Sequence, residues 1–369
     1  MIIITTQCFF PNIGGIESLM TGMAEAMAES GKTVLVVADG IKSVNDELGK
    51  FSVKRFNQWK PIRRINKAKF IRQKCKDEKI EAIYADSWKS IEYLNNVNVP
   101  KIVLAHGTEI QKNYNNWNIY KRYKQSRIYK SYMLTSKIVA NSNYTKELLK
   151  ETLDIHEEKI KVIHPGIDVY DKFIQQVTTD KIFNIIKGRS PVILTLARLE
   201  NRKGHKIVLQ ALAKLISEYP NLLYIIAGDG PAKQDIKKIV SELNLNNRTS
   251  FLGWISEPEK SVLLKNADLF VMTPHIDKES VEGFGMSFID AAFHGIATIG
   301  TDNGGIPDAI IDGKTGLIAK TSDLDDITNK IRELLSNNEK RQKLGDEGQK
   351  NALEKFTWNN KVKEYLGLI

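Results

Sequence analysis

At 369 residues the chain is longer than one ordinary core requires and suits two domains. Its 42% apolar and 27% charged residues exclude a disordered or fibrous chain, and two cysteines, Cys8 and Cys75, exclude a disulfide framework and fit a reducing compartment. The net charge of +10 lies mostly in residues 1–180, with 28 Lys+Arg against 20 Asp+Glu, whereas the remainder has 26 against 24.

Met1–Thr6 reads as a buried strand. No basic segment precedes Ile2-Ile3-Ile4, so a signal peptide is not expected and the protein is read as cytoplasmic. A Pro-Asn-Ile-Gly-Gly loop leads into a helix over Glu17–Ser30, with Leu19, Met23, Ala26 and Met27 on one face and Gly31 as its stop. Thr33–Ala38, Ala82–Tyr84, Ile102–Leu104 and Lys137–Ala140 are further short apolar strands. Two basic runs lie among them. Lys60–Lys79 has nine basic and two acidic residues. Lys112–Lys130 has six basic and no acidic residues, interleaved with Tyr114, Trp117, Tyr120, Tyr123 and Tyr129. Each run is either a solvated helix face or part of a surface that attracts anions, and the aromatic rings favour a membrane interface.

The alternation lapses over 171–189, and Ser190-Pro191 marks the domain boundary. It restarts with strands at Val192–Leu196, Leu222–Ala227, Thr249–Leu252, Leu269–Met272 and Ala297–Ile299. Helices are expected at His205–Glu218, Pro231–Leu243, Pro258–Asn266 and Met286–His294, then at Asp323–Leu335, Glu339–Phe356 and Trp358–Leu366. Strand–helix alternation of this kind argues for two α/β halves with parallel sheets and a cleft between them, with ligands at the carboxyl ends of the strands. No apolar run reaches the roughly 18 residues that span a bilayer.

Four strand-end loops carry candidate chemistry. Gly14-Gly15 is either a tight turn or a pair of exposed amides at a helix start. His106, beside Gly107, is either a structural histidine or a group that bonds a substrate hydroxyl or moves a proton. Arg198 and Lys203 flank a helix start and suit a diphosphate, although Arg198 could instead pair with a surface carboxylate. Glu282 and Asp290 stand eight positions apart around Gly283-Phe284-Gly285. Eight residues are about 2.2 helical turns, so the two acids are expected to face the same way and to accept from vicinal hydroxyls. Asp290, among apolar neighbours, is either an interior group bonded to backbone or one that has a ligand or a basic partner. The dinucleotide fingerprint fails at Phe288, and no phosphate-loop lysine follows. Asp323-Leu324-Asp325 sits at an expected helix start, where acids act as caps, so no metal is expected.

In series these segments resemble the retaining GT-B glycosyltransferases of the family-4 type, along essentially the whole chain. The family's glycine loop looks like Phe10–Glu17, its Gly-Arg-Leu…Lys-Gly segment like Ala197–Gly204, and its Glu-x7-Glu motif like Glu282 to Asp290. Ile163–Asp168, Ala227–Pro231 and Phe251–Trp254 also match in order and spacing. The resemblance implies two Rossmann-like domains facing across a cleft: an acceptor domain over 1–175, a donor domain over 190–355, and a helix over 356–369 packing back on the first. It implies a nucleotide-diphosphate sugar as co-substrate, with no metal or other cofactor.

By the same resemblance Arg198 and Lys203 hold the diphosphate, and Glu282 touches the transferred sugar. Amides of Gly283, Phe284, Gly285, Met286 and Ser287 cradle sugar and phosphate, Asp290 holds the ribose, and Gly14, Gly15, Gly230, Trp254 and Ile255 complete the donor site. His106 would orient the sugar. Asp290, one methylene shorter than the family's Glu, and Ala197, for the usual Gly, are departures. The implied reaction transfers a hexose-type sugar with retention. The acceptor would be a membrane lipid (diacylglycerol, phosphatidylinositol or polyprenyl-linked) or a cell-surface polysaccharide precursor, reached by peripheral binding to an anionic membrane. A nucleotide-sugar epimerase on the same fold is the alternative, and a non-enzymatic anion- or nucleic-acid-binding protein a remote one; nucleic acid is not an expected partner.

Overall fold

The computed structural model describes residues 1–12, 14–43, 46, 50–110, 119–167, 180–277 and 280–369. Ile13 of the glycine loop, Lys112, Tyr114 and Trp117 of the second basic run, Asp168, residues 171–179 and Glu279 lie outside the described residues. The chain divides into two compact units, Met1–Asp168 with Phe356–Ile369, and Val169–Lys355.

Unit 1 runs β1 (Ile2–Thr6), α1 (Gly15–Glu29), β2 (Val34–Asp39), β3 (Ser52–Phe56), α2 (Lys60–Asp77), β4 (Ala82–Ala85), α3 (Trp88–Ile91) and β5 (Lys101–Ala105). It continues with α4 (Ile119–Met133), β6 (Lys137–Ala140), α5 (Asn143–Leu153) and β7 (Ile160–Val162). Its seven strands are ordered β3-β2-β1-β4-β5-β6-β7, and every paired neighbour is parallel. The inner strands β1, β4 and β5 are buried throughout, which is why they read as unbroken apolar runs.

Unit 2 opens with α6 (Asp180–Ile186), β8 (Val192–Leu196), α7 (His205–Leu215), β9 (Leu223–Ala227), α8 (Lys233–Glu242) and β10 (Thr249–Gly253). Then come α9 (Glu257–Lys265), β11 (Leu269–Val271), α10 (Met286–Phe293), β12 (Thr298–Thr301), α11 (Ile306–Ala309) and β13 (Leu317–Ala319), and α12 (Leu324–Ser336) and α13 (Asn338–Lys355) complete it. Its six strands are ordered β10-β9-β8-β11-β12-β13, again parallel at every pairing. The core packs α7 and α12 against one face through Val208, Leu212, Leu215, Ile327 and Ile331.

The final helix α14 (Trp358–Leu366) belongs to unit 1. Trp358, Val362 and Tyr365 enter the core beside α1 residues Leu19, Met23 and Met27. The Tyr84 hydroxyl donates to the Tyr365 carbonyl at 2.6 Å. The backbone of Ile167 donates to the Phe356 carbonyl at 2.7 Å and accepts from Trp358 at 3.3 Å.

Strands β3, β7 and β13 were not expected, and all three are sheet edges. An edge strand needs no continuous apolar run: β3 reads SVKRF and β7 is the tripeptide IKV. Helix α6 likewise falls in a stretch read as irregular.

Candidate active site

A charged constellation of unit 2 forms where β8 and β11 end. After β8 the chain passes through Ala197–Glu200 into a short 3-10 turn, Asn201–Lys203, and then Gly204 before α7. Gly204 has φ +79°, and a Cβ there would collide with the Thr273 carbonyl, so the turn requires glycine. The tight approach draws Arg202 and Lys203 toward the loop that follows β11. There Glu282 Oε2 accepts from Lys203 Nζ at 2.6 Å and Arg202 Nη1 at 2.7 Å. All three side chains are mostly buried, at 10% exposure for Lys203, 17% for Arg202 and 13% for Glu282. Burial alone would raise the Glu282 carboxyl, but the charges of Lys203 and Arg202 outweigh it and hold the group below its ordinary value. The Gly305 amide donates to the Glu282 carbonyl at 2.9 Å, fixing the loop. The second carboxylate oxygen, Oε1, has no partner among the described residues, so it is open to a hydroxyl donor.

Glu282 and Asp290 do not share a helix face. Helix α10 begins at Met286 with Gly285 as its N-cap, so Glu282 lies in the preceding loop and not on the helix. Asp290 is on α10 and meets a different cation, Lys260 of α9, at 3.4 Å; Lys260 also lies 2.6 Å from Glu257. Burial opposes the Lys260 charge, yet Asp290 and Glu257 more than offset it and hold the ammonium above the ordinary lysine value. The Asp290 carbonyl bonds His294 Nδ1 at 2.8 Å. The basic partner that a carboxylate in this apolar setting demands is therefore Lys260.

Arg198 stands apart from Lys203. Its side chain is 63% exposed, and Glu200 approaches it at 3.3 Å. Glu200 also accepts from Arg202 Nε at 2.8 Å, so it connects the two arginines. Phe284 and Gly285 are buried, while Gly283, Met286 and Ser287 are half-buried; the α10 amides that begin a helix have no intrahelical acceptor. Gly230 is packed against the backbone of Leu199, Trp254 is 57% exposed, and Ile255 is half-buried. Asp323 caps α12, accepting from the Asp326 amide at 3.0 Å, and Asp325 pairs with Lys214.

In unit 1, Gly14 is the N-cap of α1 and Gly15 its first residue. His106 follows β5. Its Nε2 lies 2.8 Å from the Asp86 carbonyl, which can only accept, so the neutral ring carries its proton on Nε2 and leaves Nδ1 as an acceptor. The His106 amide donates to Glu109 at 2.9 Å. The Lys60–Lys79 run is only partly the solvated or membrane-facing surface it suggested. Lys67 is buried and donates to the Thr6 carbonyl at 2.7 Å and to Asp39 at 2.9 Å. Arg63 pairs with Asp39, and Arg64 lies 3.7 Å from Glu92.

Sequence reasoning passed over Arg202, Lys260 and Asp86. Arg202 adjoins Lys203 and could have been found as a cation pair, whereas Lys260 in Glu-Pro-Glu-Lys looks like any solvated helix.

Two family models match in succession: glycosyltransferase family 4 over residues 13–170, and glycosyl transferases group 1 over residues 177–351. The chain is 29% identical over 176 residues to a GDP-mannose-dependent alpha-(1-6)-phosphatidylinositol monomannoside mannosyltransferase of Mycolicibacterium smegmatis, covering 47% of this chain and 46% of that protein. It is 28% identical to the N-acetyl-alpha-D-glucosaminyl L-malate synthase of Bacillus anthracis, over 60% of this chain and 55% of that protein. The matches thus span about half the length of these curated relatives. The crystal structure of Anabaena HepE in complex with UDP superposes with a TM-score of 0.79 at 20% identity, covering 100% of each chain, a likeness of fold.

Proposed function

The chain belongs to the GT-B glycosyltransferases of the family-4 type, and from that premise we propose that it moves a hexose-type sugar from a nucleotide-diphosphate sugar to a hydroxyl of an acceptor, with retention at the anomeric carbon. The observation that carries this reading is Glu282, ionised and immobilised by Lys203 and Arg202, with Oε1 left open. A fixed carboxylate oxygen suits a sugar hydroxyl, because its position costs no reorganisation when substrate arrives. The amides of Met286 and Ser287 at the start of α10 suit phosphate oxygens. Arg198, largely exposed, supplies a guanidinium fork to the diphosphate, and Lys203 adds positive charge behind it.

Asp290 serves the ribose, through a water where its shorter side chain falls short. Gly230, Trp254 and Ile255 border the nucleotide. In unit 1, His106 positions a substrate hydroxyl through Nδ1. No residue is assigned as a covalent nucleophile. The departing phosphate oxygen takes the acceptor's proton, so bond breaking and deprotonation occur on one face of the sugar.

A thermal-shift screen with UDP-, GDP- and ADP-sugars tests the reading, since a ligand bound only by the folded state raises the melting temperature. Absence of a shift with all three, together with no sugar transfer, would sink it.

The acceptor is proposed to be a lipid at an anionic membrane. Supporting this, α4 presents Ile119 at 87% exposure, Tyr120 at 71% and Tyr123 at 62%, together with exposed Arg122 and Lys130. Aromatic and basic side chains together suit a headgroup layer. Among the described residues no helix is long and apolar enough to cross a membrane, so contact would be peripheral. Flotation with phosphatidylglycerol vesicles at low salt tests this part: protein left at the bottom of the gradient removes the membrane and leaves a soluble saccharide acceptor.

A further inference from the structure

Helix α4 and the C-terminal end of α5 border an open groove of about 470 Å³ on unit 1. That volume falls within the roughly 300–1,000 Å³ of small-molecule sites. Arg122, Gln125, Ser126 and Tyr129 line it from one face of α4, at helical spacing. Thr152 and Asp154 line it where α5 ends, with Leu153 between them. The groove is not at the strand ends that carry His106. Helix α5 starts after the carboxyl end of β6 and finishes before β7 begins at Ile160, so its C-terminus is on the amino-end side of the parallel sheet. His106 follows the carboxyl end of β5.

Gln125 is left without a partner by the fold. It is 8% exposed, and its Nε2 has no hydrogen-bond partner among the described residues. A buried amide donor without an acceptor is destabilising. Because Gln125 borders the groove, a ligand oxygen seated there can supply the missing acceptor.

The surrounding groups select the kind of ligand. Arg122 and Asp154, both exposed, bring one positive and one negative charge. An anion would meet Asp154 and the negative end of the α5 dipole, and a cation would meet Arg122. An acyl chain would cover Gln125 without offering it an acceptor. A neutral ring with several hydroxyls meets none of these objections. Its oxygens accept from Gln125 and Arg122, and its hydroxyls donate to Asp154 and to the last α5 carbonyls, which lack intrahelical partners. Its C–H face packs on the ring of Tyr129, which is 40% exposed.

We propose that this groove is a saccharide-binding subsite that takes one neutral hexose unit, held by Gln125, Arg122 and Asp154 and stacked on Tyr129. It anchors a saccharide chain at a point where no transfer takes place. The subsite does not rest on the transferase reading.

The test is saturation-transfer NMR on the full chain, without nucleotide, with methyl α-D-mannopyranoside, methyl α-D-glucopyranoside and N-acetylglucosamine. Wild type is expected to saturate the ring protons of at least one of them. Gln125→Leu keeps the bulk and removes the amide, and is expected to bind about tenfold more weakly, the effect of one hydrogen bond. Tyr129→Ala is expected to weaken binding about fivefold through the lost ring contact. Tyr129 is a surface position, so this variant decides the matter if Gln125→Leu does not fold. Phe183→Ala, which removes an exposed ring of unit 2, is expected to match wild type. No saturation from wild type with any of the three, or equal affinity in wild type and both groove variants, overturns the subsite. The nucleotide-sugar thermal shift, read on the same samples, separates the two ideas. A shift without groove-dependent saccharide binding leaves the transferase reading standing alone. Groove-dependent binding without a shift keeps the subsite and loses the transferase.

Discussion

The two units place charged residues at equivalent points, the carboxyl ends of their parallel strands, and use them in opposite ways. In unit 2 the buried cations are consumed internally: Lys203 and Arg202 both close on Glu282, while Arg198 stays exposed. What remains is an acceptor, Glu282 Oε1, suited to hydroxyls. In unit 1 the carboxylates are consumed instead, and what remains is the cation Lys89 with Arg64 nearby. The fold sets where loops converge; the partner left over decides which ligand a corner can hold.

The largest effect is expected from Glu282→Ala. It strands two buried cations, and breaking a buried ion pair by removing one partner costs about 3–5 kcal/mol. Sugar transfer should vanish with it. Urea unfolding and nucleotide-sugar turnover check the two arms separately, and turnover at the wild-type rate would reduce Glu282 to a structural group.

Acid should weaken unit 2 in two stages. His205, at the start of α7, is buried with both ring nitrogens unpartnered among the described residues, and burial, helped by Lys203, holds it down at about 4 against 6.5. The unfolded chain binds a proton that the folded one excludes. Stability is therefore complete above pH 6.5 and lost as pH falls from 6.5 to about 4, a drop of about 3 kcal/mol at 1.36 per unit. Glu282 has its folded value below 4.5, so its contribution is present above pH 4.5 and lost as pH falls further. Unfolding of His205→Leu should be shallower through the first window, where His294, also held below 6.5 by burial, keeps a share of the slope, and should retain the second. A slope unchanged in the first window would exclude His205 as its source.

Arg202 and Arg198 sharpen the contrast within one loop. Arg202→Ala removes bonds to two carboxylates and should cost about 1.5–3 kcal/mol. Arg198→Ala, at an exposed side chain, should change stability by less than about 0.5 kcal/mol. If Arg198 serves the diphosphate, its removal weakens nucleotide-sugar binding without moving the urea midpoint. Parallel losses of stability and affinity would contradict that division.

Interior strands were legible in the sequence because burial on both faces leaves a continuous apolar signature, as in Ile2-Ile3-Ile4 and Val192–Leu196. The edges β3 and β7 were not, since a strand with one open side tolerates Lys54, Arg55 and Lys161, and β13, though apolar, is only three residues long. At the candidate site Lys203 and Glu282 stood out by type and position, and the structure joins them at 2.6 Å. Arg202 did not, because a run of charges gives identities without directions. The same blindness hid Lys67, one of nine basic residues between Lys60 and Lys79, yet turned inward onto Asp39. Periodicity sees which face is buried; it does not see which cation a buried carboxylate selects.

The smallest predicted effect bears most directly on the contrast between the units. Lys89 has a folded value lowered by burial and by its cationic neighbours. Holding it charged therefore costs folding energy below the folded value, and the cost fades as pH rises toward the ordinary 10.5. Lys89→Met keeps the stem and removes the charge, so it should be the more stable protein, by about 0.5 kcal/mol or less. Thermal melts of both proteins check this. A variant less stable than wild type would mean that the corner is already balanced and that the units do not differ as described.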